Sequence, residues 1–235
     1  MAEPIEALSR VDAPGGYQQV VNYIAERLMD GSLKVGDRLL PERELSIRLN
    51  VSRPMVREAL RSLAMIGVLE IRQGHGTFVR TPDVSSFADL FMFAIAQHGS
   101  VIDEILEVRI ALERQAIRLA CKRARPKEIA RIAAAFAEIV DSIDDPLRGG
   151  HADFRFHTAI VEASHSPAII NIYRVVSDML LRSHVERRSR LSDSEAYRDF
   201  LIAHHRRILS AIERQDAEES EALLLQHFEI GAEFP

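Results

Sequence analysis

The sequence predicts a mostly α protein in two parts: an N-terminal winged helix-turn-helix with a small β wing, and a C-terminal all-α helical bundle of about seven helices. Three observations predict it. Two short helical patterns flank a tight turn at Asn50-Val51-Ser52. A Gly-rich tip, Gln73-Gly74-His75-Gly76, separates two short strand-like runs. Beyond residue 86 the signals are almost wholly helical, and Gly and Pro fall mainly at joints.

In chain order, residues 1–15 are polar, with Pro4, Pro14 and Gly15, and read as a flexible tail. Residues 16–80 read as one domain. Val20, Val21, Ile24 and Leu28 make a helical stripe over Tyr17–Met29, and Asp30-Gly31 ends it. Leu33–Asp37 then turns the chain. Pro41 suits a helix's first position, where its missing N–H is no loss, and Leu45 and Leu49 share one face of the helix it starts. Asn50 can end that helix, and Ser52 can cap the next one.

The next helix runs from Arg53 to about Ile66, with Gly67 as its stop. Val56, Leu60 and Leu63 form its apolar stripe, while Arg53, Arg57 and Arg61 recur every four residues on another face. Val68–Ile71 and Thr77–Arg80 read as the strands of the wing. A helix of this kind can enter the DNA major groove, and a wing can touch the adjacent backbone or minor groove. Any one arginine on such a face is ordinarily just solvated. The turn, the caps, the Arg repeat and the Gly-rich tip together point to DNA.

Thr81–Ser86, with Pro82, Asp83 and two serines, reads as a linker. Helices are predicted over about 86–98, 101–123, 126–143, 150–164, 167–190, 195–214 and 217–231, a bundle spanning 87–231. The chemistry of this half lies in its histidines. Asp153 and His157 stand at i, i+4, a spacing that lets two side chains on one helix reach one ion. His205 and His227 lie on later helices among apolar residues at core spacing. Three imidazoles and a carboxylate suit Zn²⁺, Ni²⁺ or a similar borderline divalent cation. Spacing alone does not bring three helices together, and any one of the nine histidines is more often a core or surface residue than a ligand.

Composition bounds the rest. The 235 residues, 47% hydrophobic, leave room for two domains and a large core. No apolar run approaches the roughly 18 residues that span a bilayer. The N-terminal ten residues carry acids and no apolar stretch, unlike a secretory signal. A single cysteine, Cys121, excludes an internal disulfide, fits a reducing cytoplasm and reads as a small core residue. The formal charge of −5 is uneven: residues 34–80 hold nine Lys/Arg against five Asp/Glu, and the remainder carries −9. A local positive patch on an acidic body still attracts phosphate where it is needed.

The stretch LPERELSIRLNVSRPMVREALRSLAMIGVLEIRQGHGTFV closely resembles the DNA-binding domain of GntR-type bacterial transcription regulators. The pattern Pro-x-Glu-Arg-Glu-Leu, Val-Ser-Arg, Val-Arg-Glu-Ala-Leu and Gly-x-Gly-Thr stands in order from Pro41 to Val79. The resemblance implies operator contacts by Arg43, Arg53 and Arg57, with Ser52 at the head of the second helix and a wing contact at Gly74, His75 and Gly76. Met55 stands where the family often has Ser or Thr, which implies one fewer hydroxyl contact to phosphate.

Residues 87–231 similarly resemble the FCD ligand-binding domain of the FadR subfamily. Its landmarks are Glu107-x-Arg109 with Glu113 downstream, Asp153-x-x-x-His157, His205-x-x-Ile208 leading to Ala211-Ile212 and Asp216, and a last His227. This resemblance implies a divalent metal held by Asp153, His157, His205 and His227, and a small carboxylate effector held by the metal and Arg109. The bland alternative for Arg109 is a salt bridge to Glu113, four residues on. His204 stands where the family often has Glu. The register with Ile208 favours His205 as the ligand, with His204 about 100° around the helix. His151, His165 and His184 match no landmark and read as structural.

The expected protein is a cytoplasmic homodimer on the half-sites of a short pseudo-palindromic duplex, a repressor released or engaged by an organic acid. Two other readings stand beside it: a metal sensor in which the ion is the signal, and a metal enzyme using an Asp/His₃ site, for which no base or nucleophile is evident.

Overall fold

The computed structural model describes residues 15–97, 101–191 and 195–233; residues 1–14 of the expected tail lie outside them. Contacts divide the chain into two compact units, Met1–Asp83 and Val84–Pro235.

The first unit contains α1 (Gly16–Met29), α2 (Glu42–Leu49), α3 (Arg53–Met65) and an antiparallel pair, β1 (Leu69–Arg72) and β2 (Gly76–Val79). Pro41 precedes α2 rather than opening it, and its carbonyl accepts the Leu45 N–H at 3.0 Å. Asn50 closes α2 in the left-handed region at φ 52°, which its short polar side chain tolerates. Ser46 Oγ donates to the Val51 carbonyl at 2.6 Å and pins the turn. Ser52 stands at the N-cap of α3, but its side chain makes no capping bond. The start of α3 rests instead on Pro54 and on the Ser52 carbonyl, which accepts the Val56 N–H at 3.0 Å.

The wing strands sit one residue from their expected ends, with Leu69 opposite Val79 and Arg72 opposite Gly76. Residues 37–39 lie along β2, where Val79 N–H donates to the Asp37 carbonyl at 2.9 Å and Leu39 N–H to Thr77 at 2.8 Å. Gly76 has φ 108°, a left-handed conformation that favours glycine; a Cβ there would meet only the exposed Arg38 side chain, which can swing aside. Val20, Ile24, Leu45, Val56, Leu60, Leu63, Leu69 and Val79 fill the core. Each fully buried aliphatic side chain contributes about 1.5–3 kcal/mol.

The second unit opens with a 3₁₀ turn, Val84–Phe87, which packs against the helix Pro167–Val175. Eight helices follow among the described residues: α4 (Ala88–Ala96), α5 (Val101–Arg123), α6 (Pro126–Asp141), α7 (Pro146–Ala163), α8 (Pro167–Val175), α9 (Ser177–Leu191), α10 (Glu195–Glu213) and α11 (Ala217–Glu233). Two boundaries differ from expectation. The single helix expected over 167–190 is broken at Val176, beside which Ser177 Oγ donates to the Tyr173 carbonyl at 2.9 Å. The helix expected from 150 begins at Pro146, capped by Asp145, whose side chain accepts the Arg148 N–H at 3.0 Å. Gly149 and Gly150 therefore lie inside α7. A Cβ on Gly150 would stand 2.6 Å from the Val185 Cα, so glycine lets α9 cross α7 at close range. Two apolar clusters hold the bundle, one led by Ile117, Ile132, Phe156, Ile208 and Leu224, the other by Ile105, Val161, Tyr173 and Leu180.

Candidate metal centre

The polar residues of the bundle interior occupy core positions of its helices. On α5 the stripe Ile105, Arg109, Glu113, Ala116, Ile117 is buried throughout, two charges among aliphatics. On α7 His157 lies between buried Phe156 and Ile160; on α10 His205 precedes Ile208; on α11 His227 precedes Phe228. Hydrophobic burial of these stripes carries the polar groups inward.

Asp153, His157, His205 and His227 are brought together, each offering a ligand atom within 4.8 Å of the others. His157 Nδ1 donates to Glu113 Oε2 at 2.5 Å, so its Nε2 presents a lone pair, and that atom is buried without a hydrogen-bond partner. His205 Nδ1 donates to the Leu201 carbonyl at 2.8 Å, so its Nε2 also presents a lone pair, 2.7 Å from Asp153 Oδ1. His157 Nε2 is 3.4 Å from the same oxygen. His227 Nδ1 is buried and unpartnered too. Lone pairs on two imidazoles and a carboxylate face one another, an arrangement that a cation among them relieves. The donor set fits a borderline divalent ion. His204 points elsewhere: its Nε2 donates to the Leu223 carbonyl at 2.7 Å.

The surrounding groups are tightly coupled. Burial opposes ionisation of Glu113, but Arg109 and His157 outweigh it and hold its carboxyl at about 2. Burial likewise works against Asp153, and the neighbouring His184, with His157 and His205 close by, holds it well below the usual range. Burial would depress His157, but Glu113 outweighs it and raises the imidazole. Burial and neighbouring His205 keep His227 neutral. Burial, then Arg109, pushes His184 down to about 3.

Arg109 is buried, bonds Glu113 Oε1 through Nε at 2.9 Å, and lies over the Phe228 ring at 4.7 Å. Its Nη2 is buried without a partner. The salt bridge is thus present and leaves one donor of the fork over. Tyr173 OH donates to the same Glu113 oxygen at 2.9 Å. The sequence reading missed His184, whose Nδ1 donates to Asp153 Oδ2 at 2.8 Å. His151 and His165 stand apart from this centre; His165 Nε2 is 3.0 Å from Glu128. Cys121 is buried, with Sγ 3.2 Å from Ser220 Oγ.

In the first unit, Arg43 on α2 and Ser52, Arg53 and Arg57 at the start of α3 are exposed, as are Gly74 and His75 at the wing tip; Gly76 is half-buried. Arg57 is engaged: its Nη2 bonds Glu42 Oε2 at 2.8 Å and its Nε the same carboxylate at 3.1 Å. No described helix is long and apolar enough to cross a membrane.

Residues 16–79 match the family described as bacterial regulatory proteins, gntR family, and residues 104–230 match the FCD domain. The chain is 30% identical over 201 residues to the HTH-type transcriptional regulator LutR of Bacillus subtilis (strain 168), covering 85% of this chain and 92% of that protein. It is also 30% identical to the putative L-lactate dehydrogenase operon regulatory protein of Escherichia coli (strain K12), over 89% of this chain and 82% of that one. Among solved structures, Streptococcus agalactiae GntR shares the fold with a TM-score of 0.66 at 24% identity, covering 92% of this chain and 98% of that chain.

Proposed function

The chain belongs to the GntR family of bacterial regulatory proteins, with an FCD domain in its C-terminal half, and from that premise we propose a repressor whose operator affinity is set by a small organic acid bound at a divalent-metal site. It is a DNA-binding transcriptional regulator, and both of its domain families are those of regulators rather than enzymes. The observation that carries the proposal is the convergence of Asp153, His157, His205 and His227 beside the spare donor of Arg109.

In this reading the four residues hold the ion, Zn²⁺ or Ni²⁺ by donor type. When bound, the ion supplies a Lewis-acid anchor for an effector carboxylate. Glu113 orients His157 by accepting its Nδ1–H, and the short-range set of Glu113 partners fixes Arg109. Arg109 offers Nη2 to the acid. One relative is named for the L-lactate dehydrogenase operon, which supports a small hydroxy acid as the class of ligand. Two copies, each in the cytoplasm, place their winged domains on two operator half-sites. Arg53 and Arg57 enter the major groove from the start of α3, Ser52 lies at its head, and Arg43 with Gly74, His75 and Gly76 sets register. The acid shifts operator affinity only by its differential affinity for the two arrangements of the dimer, typically about 1–3 kcal/mol.

A thermal-shift screen of small carboxylates, on metal-loaded and chelator-stripped protein, tests this. A ligand at about 100 times its Kd adds roughly 2.7 kcal/mol. A hit lost on stripping supports the metal-assisted site. A hit that survives stripping removes the metal from effector binding, and a melt that responds to metal alone favours an ion sensor. His205→Ala abolishes metal binding and His204→Ala leaves it; the reverse result would show the wrong histidine assigned.

A further inference from the structure

The interior face of α9 begins apolar and turns basic. Leu180 and Ser183 are fully buried, then come His184 and Arg188, also buried, and half-buried Arg187 between α9's interior and its rim. Arg188 has a packing role. It covers Gly149 of α7, donates through Nη2 to the Ile143 carbonyl at 2.9 Å, and stacks toward Tyr197. Arg187 has no comparable assignment. Its Nη1 is buried with no hydrogen-bond partner.

Arg187 stands three residues from His184, on the same face of α9, and His184 bonds Asp153 directly. This places the Arg187 guanidinium on the stretch of helix that meets the metal donors. The carboxylates there are already spoken for. Glu113 accepts from Arg109, His157 and Tyr173, and Asp153 accepts from His184 and faces His205 Nε2 at 2.7 Å. Arg109 Nη2, Arg188 Nε and Nη1 and His184 Nε2 are likewise buried without a partner. Burial, then the like charge of Arg109, pulls the Arg187 guanidinium below its usual range, so the two cations sense each other across one interior. A guanidinium donor buried without a partner is unfavourable unless an acceptor completes it.

We propose that Arg187 takes a second carboxylate of the effector, so that this bundle recognises a dicarboxylic hydroxy acid: one carboxylate at the metal donors and Arg109, the other at Arg187. The proposal rests on the organic-acid reading above and sharpens it. It separates this chain from a relative named for a monocarboxylate's dehydrogenase operon. Arg187 supplies specificity, because a monocarboxylate leaves its buried donor unmet.

The test is calorimetric titration of the metal-loaded full chain with L-lactate and with three hydroxy diacids of increasing length: tartronate, L-malate and L-2-hydroxyglutarate. L-Malate is L-lactate carrying one further carboxylate. At least one diacid is expected to bind about tenfold tighter than lactate, the equivalent of one charge-assisted hydrogen-bonded pair. Arg187→Gln lowers that diacid to the affinity of lactate and leaves lactate unchanged, with the metal stoichiometry intact. Lactate binding as tightly as every diacid overturns the second-carboxylate role alone, as does an Arg187→Gln variant that weakens both classes equally. If no acid in the set or in the wider carboxylate screen binds, the organic-acid site itself falls, and this inference with it.

Discussion

His157 donates its Nδ1–H to Glu113 Oε2 across 2.5 Å, while the same ring's Nε2 lies buried and unpartnered among Asp153, His205 and His227. Glu113 therefore fixes which nitrogen of His157 carries the proton. Glu113→Gln is expected to weaken metal binding about 10–100-fold with the four donors intact, because a carboxamide can turn its NH₂ toward Nδ1 and send the proton to Nε2. Tyr173→Phe removes a different donor to Glu113 and spares His157 and Arg109, so metal affinity stays near that of the parent. Competition against a calibrated chelator measures both. Equal losses in the two variants would mean that Glu113 only fills space.

The metal-free protein should lose stability on acidification in two steps. His184 is neutral in the fold down to about 3, against an ordinary 6.5. The unfolded chain therefore binds the extra proton between those values, and the contribution of neutral His184 is present above 6.5 and drains as pH falls toward 3. Glu113, held at about 2 against 4.5, adds stability that is present above 4.5 and lost as pH falls toward 2. His157 works the other way, since its raised pKa favours the fold at low pH. Thermal melts of chelator-treated protein should fall from pH 6.5 to 4.5, and His184→Asn should make that part of the profile shallower, with the rest coming from His227, which burial also holds below 6.5. A melting temperature constant from 6.5 to 4.5 would refute the assignment.

Asp153, His157, His205, His227 and Arg109 were legible through the family motifs they stand in, since spacing alone does not bring their helices together. His184 was not. Its partner is on another helix, and nothing in its own neighbourhood betrays the contact. The crossing that creates it depends on Gly150, which from sequence alone read as the start of a helix. The break at Val176 was hidden for a similar reason: no Gly or Pro marks it, only a serine that turns back on a carbonyl. In the winged unit the turn, the strands and the αL residue Asn50 follow from local chemistry, whereas Ser52 has the right identity for a cap and makes no capping bond.

Gly150→Ala should test that crossing. Alanine gains helix propensity of about 0.8–1 kcal/mol over glycine in a helix interior. Its Cβ would, however, stand 2.6 Å from the Val185 Cα and 2.8 Å from Cγ2, and a backbone atom cannot swing aside. Moving α9 away also draws His184 off Asp153, since His184 is the residue before Val185. The net expectation is a loss of about 1–3 kcal/mol, typical of overpacking. At roughly 2–4 °C per kcal/mol for a chain of this size, a melting scan resolves it. A variant as stable as the parent would show that the helices separate freely.

Arg57 and Glu42 set up a competition on the proposed DNA-facing surface. Their side chains are 54% and 39% exposed, so solvent screens the pair and DNA phosphate can displace the carboxylate. Glu42 is predicted to hold Arg57 away from non-specific duplex. Glu42→Ala should tighten binding to random DNA with a steeper salt dependence, and so narrow the ratio between operator and random sequence. Arg57→Ala should weaken operator binding. If Arg57 meets phosphate, the slope of log K against log salt shrinks by about one on every sequence; if it meets a base edge, the operator-to-random ratio falls instead. Fluorescence anisotropy across a salt series separates these outcomes. Operator binding by Arg57→Ala that matches the parent in both affinity and slope would remove α3's second arginine from the interface, leaving Arg53 and Arg43 to account for it.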